Sequence, residues 1–255
     1  MLNQLIVKVP LLNGLGKSRG AEKAPERVIN LVNPDIKLDV REVILDKLNI
    51  SESFNIVSEK IRMVSNCIIL GGDHSLTFAS CKAFAEKYRK AGLVIFDSHP
   101  DCVNDFIPPT NDDFVRTLIE QKIIQPENVF IIGLRAIDPI EHEYMIKKKI
   151  NFFTMRMIDE NGIENVCDEI MESLRRLDAF YLSIDIDVLD PAFAPGTSYP
   201  EPSGMTTREL FYFIRRLKLL QNLKLADIVE INPERDINDI TSLIGAKIIE
   251  ELIKK

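Results

Sequence analysis

Phe180-Tyr181-Leu182-Ser183-Ile184-Asp185-Ile186-Asp187-Val188-Leu189-Asp190-Pro191 is an apolar run that ends in two carboxylates with one isoleucine between them. A short continuous apolar run bounded by turn residues suits a strand covered on both faces, so Phe180–Ile186 is predicted as a buried β-strand. Residues two apart on a strand share a face, which sets Asp185 and Asp187 side by side. Adjacent carboxylates repel unless a cation lies between them. The stretch therefore asks for a metal ion, with Asp190-Pro191 beyond it as an ordinary turn starter.

The same arrangement recurs twice. Cys67-Ile68-Ile69-Leu70 runs into Gly71-Gly72-Asp73-His74-Ser75, and Leu93-Val94-Ile95-Phe96 runs into Asp97-Ser98-His99-Pro100-Asp101. Asp97, His99 and Asp101 keep the alternate spacing, while Asp73 reads as a turn or supporting residue. The candidate ligands are His74, Asp97, His99, Asp101, Asp185 and Asp187. Oxygen and nitrogen donors without thiolate suit Mn²⁺, Zn²⁺, Fe²⁺ or Mg²⁺. Four carboxylates and two histidines exceed what one ion usually takes, so a pair of ions with bridging carboxylates fits the count better. A lone Asp or His at a strand end is more often a turn former than a ligand. Three strand ends of one chemistry outweigh that reading, and two of the chain's 3 histidines fall in them.

Outward from these motifs, apolar strands alternate with amphipathic helices. Strands are predicted near 6–9, 68–70, 93–96, 129–132, 180–186 and 225–231, and helices near 75–90, 114–122, 138–148, 165–177 and 207–219. That alternation predicts an α/β fold of three layers, a mostly parallel sheet between two helical layers. In such sheets the ligand site lies beyond the carboxyl ends of the strands, where all three motifs fall. The length of 255 residues suits one domain spanning 1–255. A net charge of −7 argues against a nucleic-acid surface and suits a cationic substrate. Cys67, Cys81, Cys102 and Cys167 show no CxxC or secreted spacing, which points to a reducing, cytoplasmic setting. Residues 1–10 read as a first strand rather than a signal peptide, and no apolar run is long enough to span a membrane.

Taken together, Gly71-Gly72-Asp73-His74-Ser75, Asp97-Ser98-His99-Pro100-Asp101 and Ser183-Ile184-Asp185-Ile186-Asp187-Val188-Leu189-Asp190-Pro191 closely resemble, in the same order, the three motifs of the arginase family of ureohydrolases. The resemblance spans nearly the whole chain. Gly20-Ala21-Glu22-Lys23-Ala24-Pro25 looks like the family's opening loop, and Val229-Glu230-Ile231-Asn232-Pro233 like its late strand. Residues 132–142 look like the arginase segment that meets the substrate's amino end, whereas Pro195-Gly196-Thr197 looks agmatinase-like. The resemblance implies an arginase-like fold and two Mn²⁺ ions on the six ligands, with Asp97, Asp101 and Asp185 at or near bridging positions. It further implies Glu230 paired with a guanidinium, and Asp138 and Glu141 near the substrate's amino group. The reaction implied is hydrolysis of a linear guanidino or amidino C–N bond, releasing urea from agmatine or arginine. Trimers or hexamers are the assemblies it implies.

One departure stands out. Where the family's arginases and agmatinases carry a His that shuttles protons, residues 102–114 hold none. Asp112 or Asp113 falls nearest, and a carboxylate can serve as general acid only if its pKa is raised. The competing reading, which capping preferences favour, makes Asn111-Asp112-Asp113 a helix N-cap. Three outcomes stay open: a slower ureohydrolase, a formimidoylglutamase-like enzyme, or a non-catalytic metal-binding regulatory relative.

Overall fold

A computed structural model describes residues 4–14, 16–46 and 48–254. Its strands are β1 (Leu5–Val9), β2 (Asp39–Glu42), β3 (Cys67–Gly71), β4 (Ala91–Phe96), β5 (Val129–Leu134), β6 (Asn151–Thr154), β7 (Ala179–Asp185) and β8 (Leu223–Val229). Its α-helices are α1 (Ala24–Ile29), α2 (Ile50–Arg62), α3 (Leu76–Ala85), α4 (Phe114–Glu120), α5 (Pro139–Lys148), α6 (Met155–Asn161), α7 (Ile163–Leu174), α8 (Thr207–Leu217) and α9 (Ile240–Ile253).

The strands form one sheet in the order β2-β1-β3-β8-β7-β4-β5-β6. Every pairing is parallel, from Leu5 opposite Asp39 at one edge to Phe130 opposite Asn151 at the other. Parallel strands need covered faces, and the sequence supplies cover on both. Ile69, Leu93, Ile95, Ile131, Tyr181 and Leu225 point to one face, where α2 to α5 pack with Phe54, Phe84, Leu118 and Met145. Their neighbours Ile68, Val94, Phe96, Leu182, Ile184 and Ile228 point to the other, against Val28, Ile170, Phe213 and Ile249 of α1, α7, α8 and α9. The three-layer α/β expectation therefore holds, and the central strands β3, β8, β7 and β4 all end on the side where the motifs lie.

Helix ends follow local chemistry. Thr206 and Glu209 make a reciprocal capping box at the start of α8. Asp138 and Glu141 make another at α5. Helices α3 and α7 stop five and three residues before their predicted ends, and α4 and α8 two residues before theirs. Strands β2 and β6 and helices α1, α2, α6 and α9 were not anticipated. All four residues of β2 are exposed, so no buried alternation marks it. Residues 1–3 of the predicted first strand lie outside the described residues. No helix among the described residues is long and apolar enough to cross a membrane.

Candidate metal centre and substrate pocket

Three turns bring the ligands together. After β3 the chain passes so close to residue 11 that a Cβ on Gly72 would sit 2.1 Å from the Leu11 carbonyl oxygen, so only glycine fits. Asp73 then accepts hydrogen bonds from the N–H groups of Asn13 (2.6 Å), Gly14 (2.5 Å) and Ser75 (3.1 Å) and from the Ser75 hydroxyl. It is the turn residue the sequence suggested, and it holds His74 at the head of α3.

His74 Nδ1 faces three carboxylate oxygens, Asp97 Oδ2 at 3.0 Å, Asp101 Oδ2 at 3.1 Å and Asp185 Oδ2 at 3.2 Å. His99 Nδ1 lies 3.1 Å from Asp187 Oδ2 and 3.5 Å from Asp97 Oδ1. The structure thus brings all six predicted ligands to one place. Two groups have mutually close ligand atoms, His74 with Asp97 and Asp185, and His99 with Asp97 and Asp187. Asp97 belongs to both, and Asp101 Oδ2 and Asp185 Oδ2 lie close to His74 Nδ1.

The backbone route differs from the one anticipated. Strand β7 ends at Asp185, and Asp187 lies in a single 3-10 turn, Ile186–Val188, whose Asp187 N–H donates to Asp185 Oδ1 at 2.8 Å. The pair converges by a turn, not by strand alternation. Asp97, His99 and Asp101 likewise follow the end of β4, and Asp101 takes φ +53°, a left-handed conformation that a non-glycine residue pays to adopt.

The donor set fits metal ions. His74 Nδ1 and Asp97 Oδ2 are buried without a hydrogen-bond partner. Burial, and then neighbouring charge (Asp97 at Asp101, Asp187 at Asp185), pushes both of those carboxyls well above the usual carboxylate range. Burial acts against charge on His74 too, yet Asp101, Asp185 and Asp97 raise it well above its ordinary value. Asp97 is buried as well, but the His74 and His99 imidazoles beside it hold it below the ordinary value. Crowded carboxylates and imidazoles of this kind are stabilised by divalent cations.

A buried network backs His74. Its Nε2 lies 2.9 Å from Ser183 Oγ, and Ser183 donates to Asp227 Oδ1 at 2.6 Å. Asp227 Oδ2 accepts from Tyr181 OH (2.6 Å) and Thr77 Oγ1 (2.7 Å). With the Ser183 proton on Asp227, Ser183 accepts from His74 Nε2–H, which leaves the Nδ1 lone pair for a metal. Nothing singled out Asp227 in the sequence, although a polar residue inside the apolar run of β8 is itself a signal.

A cavity of about 170 Å³ opens onto the cluster. Glu230 lies at its base, buried, with φ +61° just past β8. Its Oε1 accepts from the His74 N–H at 2.9 Å, and its Oε2 is buried with no partner. Burial first, then Asp185 and Asp73, pushes its carboxyl well above the ordinary range. Thr197 Oγ1 is another buried oxygen without a partner. Asp112, Asn111 and Tyr199 also line the cavity, and no Lys or Arg does among the described residues. Tyr199, whose ring centroid is 6.0 Å from that of His99, was not anticipated.

The two acids of the histidine-free loop separate. Asp113 is buried and accepts from Asn104 N–H (2.8 Å) and the Thr110 hydroxyl. It occupies the N-cap position of α4 but caps nothing there, since its side chain is turned to its own loop. Asp112 faces the cavity, and burial together with Asp113 raises its pKa. The N-cap expectation therefore fails, because the loop needs Asp113 more than the helix does. Asp138 is exposed and caps α5 by accepting from Ile140 N–H at 2.9 Å, away from the cavity lining. Glu141 lines the cavity, but its oxygens take the N–H groups of Cys102 (2.9 Å) and Asp138 (3.4 Å). His142 is exposed and packs its ring against Phe152.

Comparison with known proteins agrees with this geometry. The profile of the arginase family matches residues 6–254. An arginase from Staphylococcus aureus (strain MRSA252) is 32% identical over 252 residues, covering 91% of this chain and 80% of that protein. A formimidoylglutamase from Halalkalibacterium halodurans is 32% identical over 224 residues, covering 86% of this chain and 70% of that protein. The crystal structure of arginase from Bacillus subtilis superposes with a TM-score of 0.88 at 25% identity, covering 98% of each chain. The chain belongs to the arginase family.

Proposed function

We propose that this arginase-family hydrolase uses two Mn²⁺ ions to cleave the guanidino C–N bond of a small cationic substrate, with agmatine ahead of arginine, releasing urea. The observation that carries it is Glu230, a cavity-lining carboxylate whose Oε2 is buried without a partner. A guanidinium offers the paired N–H donors that such a carboxylate accepts. His74, Asp97, Asp101 and Asp185 would hold one ion, and His99, Asp97 and Asp187 the other. Bound divalent ions supply activated water and positive charge against the charge that develops in the reaction.

The chain's own groups do the rest. Glu230 orients the guanidinium carbon toward the cluster, and Asp112, the acid of its loop that faces the cavity, exchanges the proton that the departing amine needs. Among the described residues no Lys or Arg lines the cavity itself, Lys17 reaching only the ring of Tyr199 in its wall, which supports agmatine over arginine and over formiminoglutamate. We also propose a single domain, a cytoplasmic setting and a homo-oligomer, as the sequence reading suggests. The test is a panel of agmatine, arginine, other guanidines and formimino compounds with Mn²⁺-loaded protein, reading urea and ammonia. Urea from agmatine is expected. Two bound ions with no turnover on any member would instead establish the non-catalytic relative.

A further inference from the structure

Arg135, just past the end of β5, spends its side chain on backbone carbonyls. Nη2 donates to Asp187 (2.6 Å), Glu201 (2.8 Å) and Leu189 (3.3 Å). Nη1 donates to Gly133 (3.1 Å) and Val188 (3.2 Å), and Nε to Pro202 (3.1 Å) and Glu201 (3.2 Å). Burial lowers its pKa, with the acids around it, Asp187 first, acting the other way. A desolvated guanidinium is costly unless its N–H groups are satisfied, and its planar fork can reach several fixed acceptors at once. The approach is tight: a Cβ on Gly204 would lie 2.6 Å from Nη2.

The three segments joined there are not equivalent. One is the end of β5. The second is the turn 187–189, whose Asp187 carboxylate faces His99. The third runs from Tyr199, in the cavity wall, to Glu201, whose Oε1 is 3.9 Å from His99 Nε2. The His74 side has its own support in Ser183 and Asp227. Behind the Asp187 carboxylate stands Ser98, whose hydroxyl (2.8 Å) and N–H (3.1 Å) donate to Asp187 Oδ1 and whose Oγ lies 2.9 Å from His99 Nδ1, while the Asp187 backbone carbonyl is held by Arg135.

We propose that Arg135 is a positioning residue for the His99–Asp187 half of the metal centre and for the Tyr199 rim above it. The inference rests on the metal-centre reading given under the proposed function. Losing such outer support typically costs about 10–100-fold in metal affinity. In this protein the loss falls mainly on the ion that His99 and Asp187 would hold, because His74 is anchored separately by Ser183 and Asp227.

Calorimetric titration of Mn²⁺ into chelator-stripped, dialysed wild type, Arg135→Met and Arg135→Lys tests it, with circular dichroism as the fold control. Wild type should show two binding steps. Arg135→Met keeps bulk but no donors, so one step should weaken about 10–100-fold while the other changes much less. Arg135→Lys, whose ammonium has three donors, should fall between. On the best guanidine substrate, KM should rise through the loosened Tyr199 rim even at saturating Mn²⁺. Both steps unchanged in Arg135→Met, or both weakened equally, would overturn the proposal. If that variant does not fold, Arg135→Lys decides by the same comparison of the two steps. A wild type that takes up no pair of ions would refute the metal centre itself, a different failure.

Discussion

Glu230→Gln gives the sharpest check on the pocket, because activity and stability should move in opposite directions. In the wild type Oε1 already accepts from His74 N–H, so a guanidinium would find Oε2 free and Oε1 half used. That amounts to one full charge-assisted hydrogen bond and part of a second, at about 1.5–3 kcal/mol each. The amide can still serve His74 but presents an NH₂ donor to the substrate's own donors. The expected loss in kcat/KM is about 2–4 kcal/mol, roughly 30- to 1000-fold at 1.36 kcal/mol per decade. Stability should do the reverse. Burial, Asp185 and Asp73 raise the Glu230 pKa well above its ordinary value, so the folded chain holds its proton more tightly than the unfolded chain. Such a group loses its stabilising contribution as pH rises through its folded value. In metal-free protein at neutral pH, Gln removes that repulsion, and the variant should melt no lower than wild type. Steady-state kinetics with Mn²⁺ and thermal melts with chelator measure the two sides. A variant that melts well below wild type while keeping most of its kcat/KM would show that Glu230 serves the fold and not the substrate.

Three further outcomes are expected. Asp112→Asn should keep wild-type stability and lose about 10²–10⁴-fold in kcat, whereas Asp113→Asn should lower the melting temperature through the Asn104 and Thr110 contacts; the opposite assignment in melts and kinetics would overturn the separation of the two acids. Raised values at His74, His99, Asp101 and Asp185 mean that the metal-free fold binds extra protons, so its stability should fall as pH rises above the ordinary histidine value of about 6.5, while the lowered value of Asp97 acts only in acid. Mn²⁺ competes with those protons and should bind more tightly as pH rises; melting curves with the same pH slope in chelator and in Mn²⁺ would contradict this. Asp227→Asn should cost about 1–3 kcal/mol, because three buried hydroxyls converge on that carboxylate; an unchanged denaturant midpoint would remove the network from the account.

What the sequence showed was chemistry that depends on residue type. Buried parallel strands are continuous apolar runs, so β3, β4, β7 and β8 stood out, and the acids at their ends stood out against them. The exposed edge strand β2 has no such contrast, because pairing on one side alone leaves its residues in water. Backbone geometry was the other blind spot. The 3-10 turn at Asp187 and the left-handed conformations of Asp101 and Glu230 are set by tertiary contacts, not by local propensity. Asp113 shows the limit most clearly: an acid in front of a helix reads as a cap, yet here the loop's own N–H groups claim it. Arg135 was visible only as part of a segment, because carbonyl acceptors leave no trace in sequence.

The strand order has a consequence for how the protein comes into being. Strand β8, late in the chain, lies between β3 and β7, and Glu230 follows it at once. Its predecessors β3 and β7 do not pair with each other in the sheet, where β8 separates them. On the ribosome, His74 and Asp97 emerge well over a hundred residues before that strand. A nascent chain therefore carries candidate ligands it cannot yet assemble, and ion capture would belong among the last events of folding, after a long-range closure. Mn²⁺ present during synthesis should act on the finished sheet, and not as a template around which the early strands gather.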